Sequence, residues 1–177
     1  MKASRRNKIY AVLAGGLVLG VGAAVTLAAW NDSEFATGNF TAGSFIFEGS
    51  ENGTAWGEHD AEGAAAALTF TANFDNLSPD DVVYAPYALR LTSTTDADLT
   101  SVAPVVTGDL DGQLTFDAVA TTAFGCDDAT DFAGGSAVPT TIADGEVINL
   151  CLAVTASSTL VQGDTGTAVW QWTAESQ

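Results

Sequence analysis

The sequence predicts an all-β protein, a β-sandwich of about seven to nine short strands, and three observations carry that reading. Beyond Trp30 no stretch keeps a helical period of 3.6, whereas several runs alternate apolar and polar residues with period two. Turn-forming clusters punctuate these runs: Asn52-Gly53, Ser78-Pro79-Asp80-Asp81, Thr94-Thr95-Asp96, Asp111-Gly112, Gly134-Gly135 and Asp144-Gly145. Thr, Val and Phe are plentiful inside the runs and charges are scarce there, as half-buried strands require.

Taken in chain order, Phe45 and Phe47 open the pattern, and Leu68 to Phe74 switches at every step. Tyr87, Leu89 and Leu91 share one face, with Arg90 pointing the other way. Ile148, Leu150, Leu152 and Val154 do the same opposite Asn149, Cys151 and Thr155, and Trp170 and Trp172 repeat the pattern near the end. The one helical piece expected after the leader is Glu62 to Ala67. Asp127 to Ala137, acidic and glycine-bearing, reads as a long loop. No internal repeat or interdomain linker is visible, and 177 residues suit one domain of ordinary size.

Charge is placed very unevenly. The chain has 22 acidic and 5 basic residues, a formal charge of -17. Four of the basic residues, Lys2, Arg5, Arg6 and Lys8, precede an uncharged run from Ile9 to Ala28. That is the order of a secretory signal peptide over residues 1–28, and small residues at Thr26-Leu27-Ala28 place the cut between Ala28 and Ala29. The apolar run is also long enough to remain as an N-terminal membrane anchor if left uncut. Removing it leaves 22 acids and one cation, Arg90, a formal charge of -21. Such a surface repels phosphate backbones and anionic lipid headgroups, which excludes nucleic acid as a partner and leaves the uncut leader as the sole route to a membrane.

Cys126 and Cys151 are the only cysteines, both beyond the leader of a chain bound for an oxidising space. A bridge between them contributes roughly 3 kcal/mol through chain entropy; two buried free thiols are the alternative. No catalytic constellation is present, so no enzyme is expected. His59, in Gly57-Glu58-His59-Asp60, is the only histidine, which excludes a paired-histidine zinc site and a histidine triad, and no Gly-x-Ser-x-Gly elbow or phosphate-cradling loop occurs. No cofactor is expected unless it is calcium. Asp109, Asp111 and Asp117 form one set of oxygen ligands and Asp127, Asp128 and Asp131 another, though neither follows the twelve-residue calcium loop. Adaptation to high salt is the other explanation for so many acids.

The junction Thr26-Leu27-Ala28-Ala29-Trp30-Asn31-Asp32, followed by Phe40-Thr41-Ala42-Gly43-Ser44-Phe45, resembles the start of the TasA/camelysin family of secreted bacterial proteins. Leu77-Ser78-Pro79-Asp80-Asp81 looks like that family's Leu-x-Pro-Gly-Asp turn, with Asp80 in place of glycine. Tyr87 to Ser93 sits where the next family strand lies, and Trp170-Gln171-Trp172-Thr173-Ala174 resembles its closing strand. Residues 99–150 have no counterpart. The resemblance implies a jelly-roll-like sandwich over 49–177, processing by a SipW-type signal peptidase, and export to the cell surface or extracellular matrix. It also implies a head-to-tail homopolymer, a biofilm-matrix fibre, in which residues 29–48 are donated as a strand to the next subunit. Phe35, Phe40, Phe45 and Phe47 are the side chains that would fill the neighbour's groove. The alternative is a monomeric binding module for glycans or another surface ligand, using Trp56 or the C-terminal aromatics.

Overall fold

The computed structural model describes residues 3–25, 32–71 and 74–177. The chain divides into two units, Met1–Thr41 and Ala42–Gln177. The first holds helix α1, Ala3–Val25, which covers most of the expected leader. No helix among the described residues is long and apolar enough to cross a membrane.

The second unit is the expected all-β sandwich. It carries seven strands among the described residues: β1 Phe45–Ser50, β2 Val82–Ser93, β3 Ala97–Gly108, β4 Leu114–Thr121, β5 Thr141–Ile142, β6 Val147–Ala156 and β7 Gly166–Ser176. They form two antiparallel sheets, a four-stranded one in the order β1-β2-β6-β4 and a three-stranded one in the order β5-β3-β7. Tyr87, Leu89 and Leu91 of β2 and Ile148, Leu150 and Leu152 of β6 face Ala97, Leu99 and Ile142 from the other sheet. These are the faces that the alternation marks. The turns it marks also hold: Asn52-Gly53, Asp111-Gly112 and Asp144-Gly145 are bends or turns, and Asp80 adopts a left-handed φ of 67°.

β6 is buried on both faces, as a central strand covered on its outer side must be. The cover is the segment after β4, tied down by a Cys126–Cys151 disulfide with Cα atoms 5.1 Å apart. Phe132 of that segment packs against Tyr84 of β2, ring centroids 6.0 Å apart. The expected loop over 127–137 therefore contains a short helix, α2, Ala129–Ala133, capped by Asp128.

Two prolines sit where a sheet tolerates them. Pro86 lies on β2 below the point where β1 has ended, so its missing N–H faces an edge that has no ladder partner there among the described residues. Pro104 lies in a bulge of β3: Val102 pairs Gln171 and Val105 pairs Val169, so Ala103 and Pro104 together face Trp170.

Two expectations need correction. Leu68 to Phe74 is not a ladder strand among its described residues, with 72 and 73 outside them. Its alternation is real: Ala66, Leu68 and Phe70 are half-buried while Ala67 and Thr69 are exposed. Pairing is what is missing. The segment touches β2 through Thr71 N–H to Tyr84 O (2.8 Å), and in return Tyr84 N–H donates to the Thr71 hydroxyl instead of a carbonyl (3.0 Å). Period two reports alternate burial, and an extended strap satisfies it as well as a strand does. The second correction concerns Glu62 to Ala67, where helix stops after a single 3-10 turn, Glu62–Ala64.

Candidate functional site

The strap of residues 59–70 and strand β7 enclose a groove of about 590 Å³. Among the described residues β7 is an edge strand, paired only with β3, and its residues Thr167 to Trp172 line one wall. Ala65 to Leu68 and Phe70 line the other, and Tyr87 of β2 reaches the floor. The alanines keep the strap thin and the wall apolar. His59, Asp60 and Glu62 supply the polar rim, where His59 Nδ1 lies 3.0 Å from Ala64 O.

The aromatic side chains here brace one another. Tyr87 and Trp172 stack with centroids 5.3 Å apart, and Trp170 meets Phe116 edge-on at 5.3 Å and Phe70 at 5.8 Å. Trp170 and Trp172 are half-buried against the core, the packing role their spacing suggests. Tyr87 enters beneath β1 because residue 49 is glycine, as a Cβ there would overlap its hydroxyl. Burial, and secondarily the charge of Glu51, pushes the Tyr87 phenol up to about 12.

The four phenylalanines of the segment ahead of the sandwich separate into two kinds. Phe45 and Phe47 belong to β1, which pairs β2 of its own sheet in the register Phe45 with Ser93 and Phe47 with Leu91. Phe47 packs on the core and Phe45 is 40% exposed. Phe35 and Phe40 are 94% and 95% exposed, in a stretch from 32 to 44 that has neither helix nor strand. The division between units falls after Thr41, so β1 belongs with the sandwich and not with the segment ahead of it. Ala28 and Ala29 lie outside the described residues.

Asp109 and Asp111 sit in the turn after β3, Asp117 on β4, and Asp127, Asp128 and Asp131 around α2. Among the described residues no group of three or more His, Cys, Asp or Glu side chains is placed to hold a metal ion. The second cluster is engaged with the main chain instead. Asp128 accepts the N–H groups of Thr130 (2.7 Å) and Asp131 (3.1 Å), and Asp131 accepts that of Asp127 (2.8 Å). The Asp131 and Thr130 amides hold the Asp128 carboxyl below its ordinary range.

Sequence reasoning missed one charged cluster. Arg90 and Glu48 are cross-strand neighbours, and the guanidinium binds Glu48 Oε2 through Nε (3.1 Å) and Nη2 (2.6 Å) while lying 4.4 Å over the Trp56 ring. The signal was available, because a lone cation among so many acids must find a partner. Arg90 covers one face of Trp56. The chain matches no known family model and no curated protein. The groove and the segment ahead of β1 therefore stand on their own chemistry.

Proposed function

We propose that this protein is a secreted structural subunit of an extracellular, biofilm-matrix type fibre, related to the TasA/camelysin family, that polymerises by giving its mature N-terminal segment to the next subunit. One observation carries the reading: the same chain has an apolar groove beside a strand edge that is unpaired among the described residues and, ahead of the sandwich, a segment with neither helix nor strand that carries two fully exposed phenylalanines. An added strand satisfies the free N–H and C=O groups of β7, and six residues laid along Thr167 to Trp172 span about 20 Å. The donated part is residues 29–44, since β1 already completes its own sheet. Phe35 and Phe40 lie on opposite faces of a regular strand, so one of them anchors in the groove; Phe40, with Gly38 and Ala42 on its side, is that anchor.

The resemblance supplies the rest. Asp80 takes the left-handed conformation at the position where the family's turn has glycine. Jelly-roll connectivity, SipW-type processing between Ala28 and Ala29, and export belong to the same proposal. Cleavage acquires a purpose in it, because an uncut leader holds the donor segment at the membrane. With a formal charge of -21 on each processed subunit, assembly strengthens with salt or with calcium.

Electron microscopy and size-exclusion chromatography on protein beginning at Ala29 and on protein beginning at Phe45, each with and without calcium, test the reading. Filaments from the first and none from the second support it, and Phe40→Ala then weakens assembly more than Phe35→Ala. A monomer from the Ala29 protein at every salt concentration overturns it in favour of a monomeric binding module.

A further inference from the structure

A different feature lies in the loop that follows β1. Asn52-Gly53 is the only Asn-Gly pair in the sequence, and it occupies an exposed bend closed by main-chain bonds between Gly49 and Gly57 of 2.9 and 3.1 Å. The Asn52 side-chain oxygen is the hub of the bend. It accepts Ala55 N–H (2.7 Å), Thr54 N–H (2.9 Å), the Thr54 hydroxyl (2.9 Å) and the Ser50 hydroxyl (3.3 Å). Two of these donors are main-chain amides, which fixes the atom they meet as the oxygen and leaves the amide nitrogen outward.

We infer that this bend is an autocatalytic modification site at which Asn52 converts to aspartate or isoaspartate through a succinimide. Gly53 N attacks the Asn52 side-chain carbonyl carbon and gives up its proton, and negative charge builds on the carbonyl oxygen. The C–N bond to the side-chain nitrogen then breaks, and ammonia departs with the proton it takes up. Water adds to either carbonyl of the five-membered ring and opens it, so the balance is one water consumed and one ammonia released.

Three features of the bend favour the step. The nucleophile is free, because Gly53 N–H donates to no group among the described residues. It carries no side chain to obstruct the ring, and its φ of 72° is one that glycine adopts at no cost. The four donors surround the atom on which charge develops, the arrangement that stabilises oxyanions in acyl transfer. The two main-chain amides among them, Thr54 N–H and Ala55 N–H, are held in place by the bend itself.

The two products differ for the fold. Aspartate keeps an oxygen at the hub, and its charge strengthens every bond the hub accepts. Isoaspartate routes the main chain through the former side chain, adds a carbon to it, and carries the hub out of its cradle. Phe124, whose ring packs directly against Gly53, is the first group to lose its placement.

The test is mass spectrometry of the intact chain after incubation in mildly alkaline buffer enriched in heavy-oxygen water. Cleavage after Glu51 and Glu58 isolates the peptide that carries the site. The expected product contains one solvent oxygen and has lost one nitrogen. Each donor bond that strengthens in the transition state contributes a factor of about five, so the folded chain reacts at least about fivefold faster than the same chain in denaturant. Thr54→Val slows the folded reaction about fivefold and leaves the unfolded one unchanged, and Thr54→Ser restores it. A folded chain that reacts no faster than the unfolded one overturns the proposal and makes the bend protective. So does Thr54→Val reacting at the unaltered rate while its melting temperature shows it folded.

Discussion

Replacing Cys126 and Cys151 together by alanine removes the one covalent crosslink while leaving every strand pairing in place. The bridge closes a sequence separation of 25 residues. Releasing it frees the unfolded chain by about 3.5 kcal/mol in the chain-entropy account. Both sulfurs are also buried, at 1% and 0% exposure, so truncation adds about 1 kcal/mol for each side chain through lost packing. Simple reduction keeps the sulfurs and isolates the first contribution. For a sandwich of this size, reduction therefore lowers the melting temperature by roughly 10–15 °C, and the double alanine variant by several degrees more. The assay is thermal unfolding with and without reductant, with denaturant unfolding alongside. The denaturant slope rises on reduction, because an uncrosslinked unfolded chain exposes more surface. A drop below about 3 °C on reduction refutes the reasoning. It would mean that the bridge serves only to hold α2 over β6, and proteolysis confined to 126–137 would accompany it.

Arg90→Met costs about 1–2 kcal/mol, discounted for a guanidinium one-third exposed, because it strips both Glu48 and Trp56 of their partner. A double-mutant cycle with Glu48→Gln checks it, and a coupling below about 0.3 kcal/mol counts against the ion pair. The Tyr87 phenol is pushed up to about 12, so its neutral form is the folded one. Its stabilising contribution is complete below the ordinary tyrosine value near 10 and is lost as the pH rises from there through about 12. The difference in ultraviolet titration between the protein and Tyr87→Phe reads this directly, and a difference centred near 10 is the wrong result. Asp128 has the opposite sign: its contribution holds at neutral pH and disappears as the pH falls through a folded value below the ordinary carboxylate range. The Thr130 amide resonance, whose N–H the Asp128 carboxylate accepts, should shift in that acid range and lose that shift in Asp128→Asn.

How much of this molecule its sequence discloses depends on whether the disclosing interaction is local. The inner faces of β2 and β6 are legible because Tyr87, Leu89, Leu91 and Ile148, Leu150, Leu152 alternate with residues of different burial. Alternation fails at β3, where the outer face is exposed and Ala103-Pro104 breaks the register against β7. It misleads at Leu68 to Thr71, where burial alternates without pairing. α2 escapes because five residues are too few to show a period, although Asp128 with Thr130 and Asp131 gives a readable capping signal. The groove is legible only in fragments. Trp170 and Trp172 mark one wall and the alanines from Ala65 to Ala67 mark the other. Nothing local says that a strap 100 residues earlier in the chain lies across from β7.

The placement of β1 bears on what assembly by strand donation would demand. A subunit that had to surrender β1 would give up the Glu48–Arg90 pair, the Phe47 packing and six residues of ladder before gaining anything from its neighbour. A subunit that gives residues 29–44 surrenders no sheet, because Ala42–Gln177 forms a unit by itself and the stretch from 32 to 44 has no strand to break. The cost of donation is then the ordering of an extended segment and the approach of two strongly negative bodies. The first is offset by placing Phe40 in an apolar groove and by pairing the open edge of β7. The second is long-range at low ionic strength, where screening reaches about 30 Å at 0.01 M, and short-range at 1 M, where it reaches about 3 Å. For a subunit assembling as proposed, charge and not the stability of the fold would set the conditions for polymerisation, because a formal charge of -21 on each processed subunit opposes approach until salt screens it.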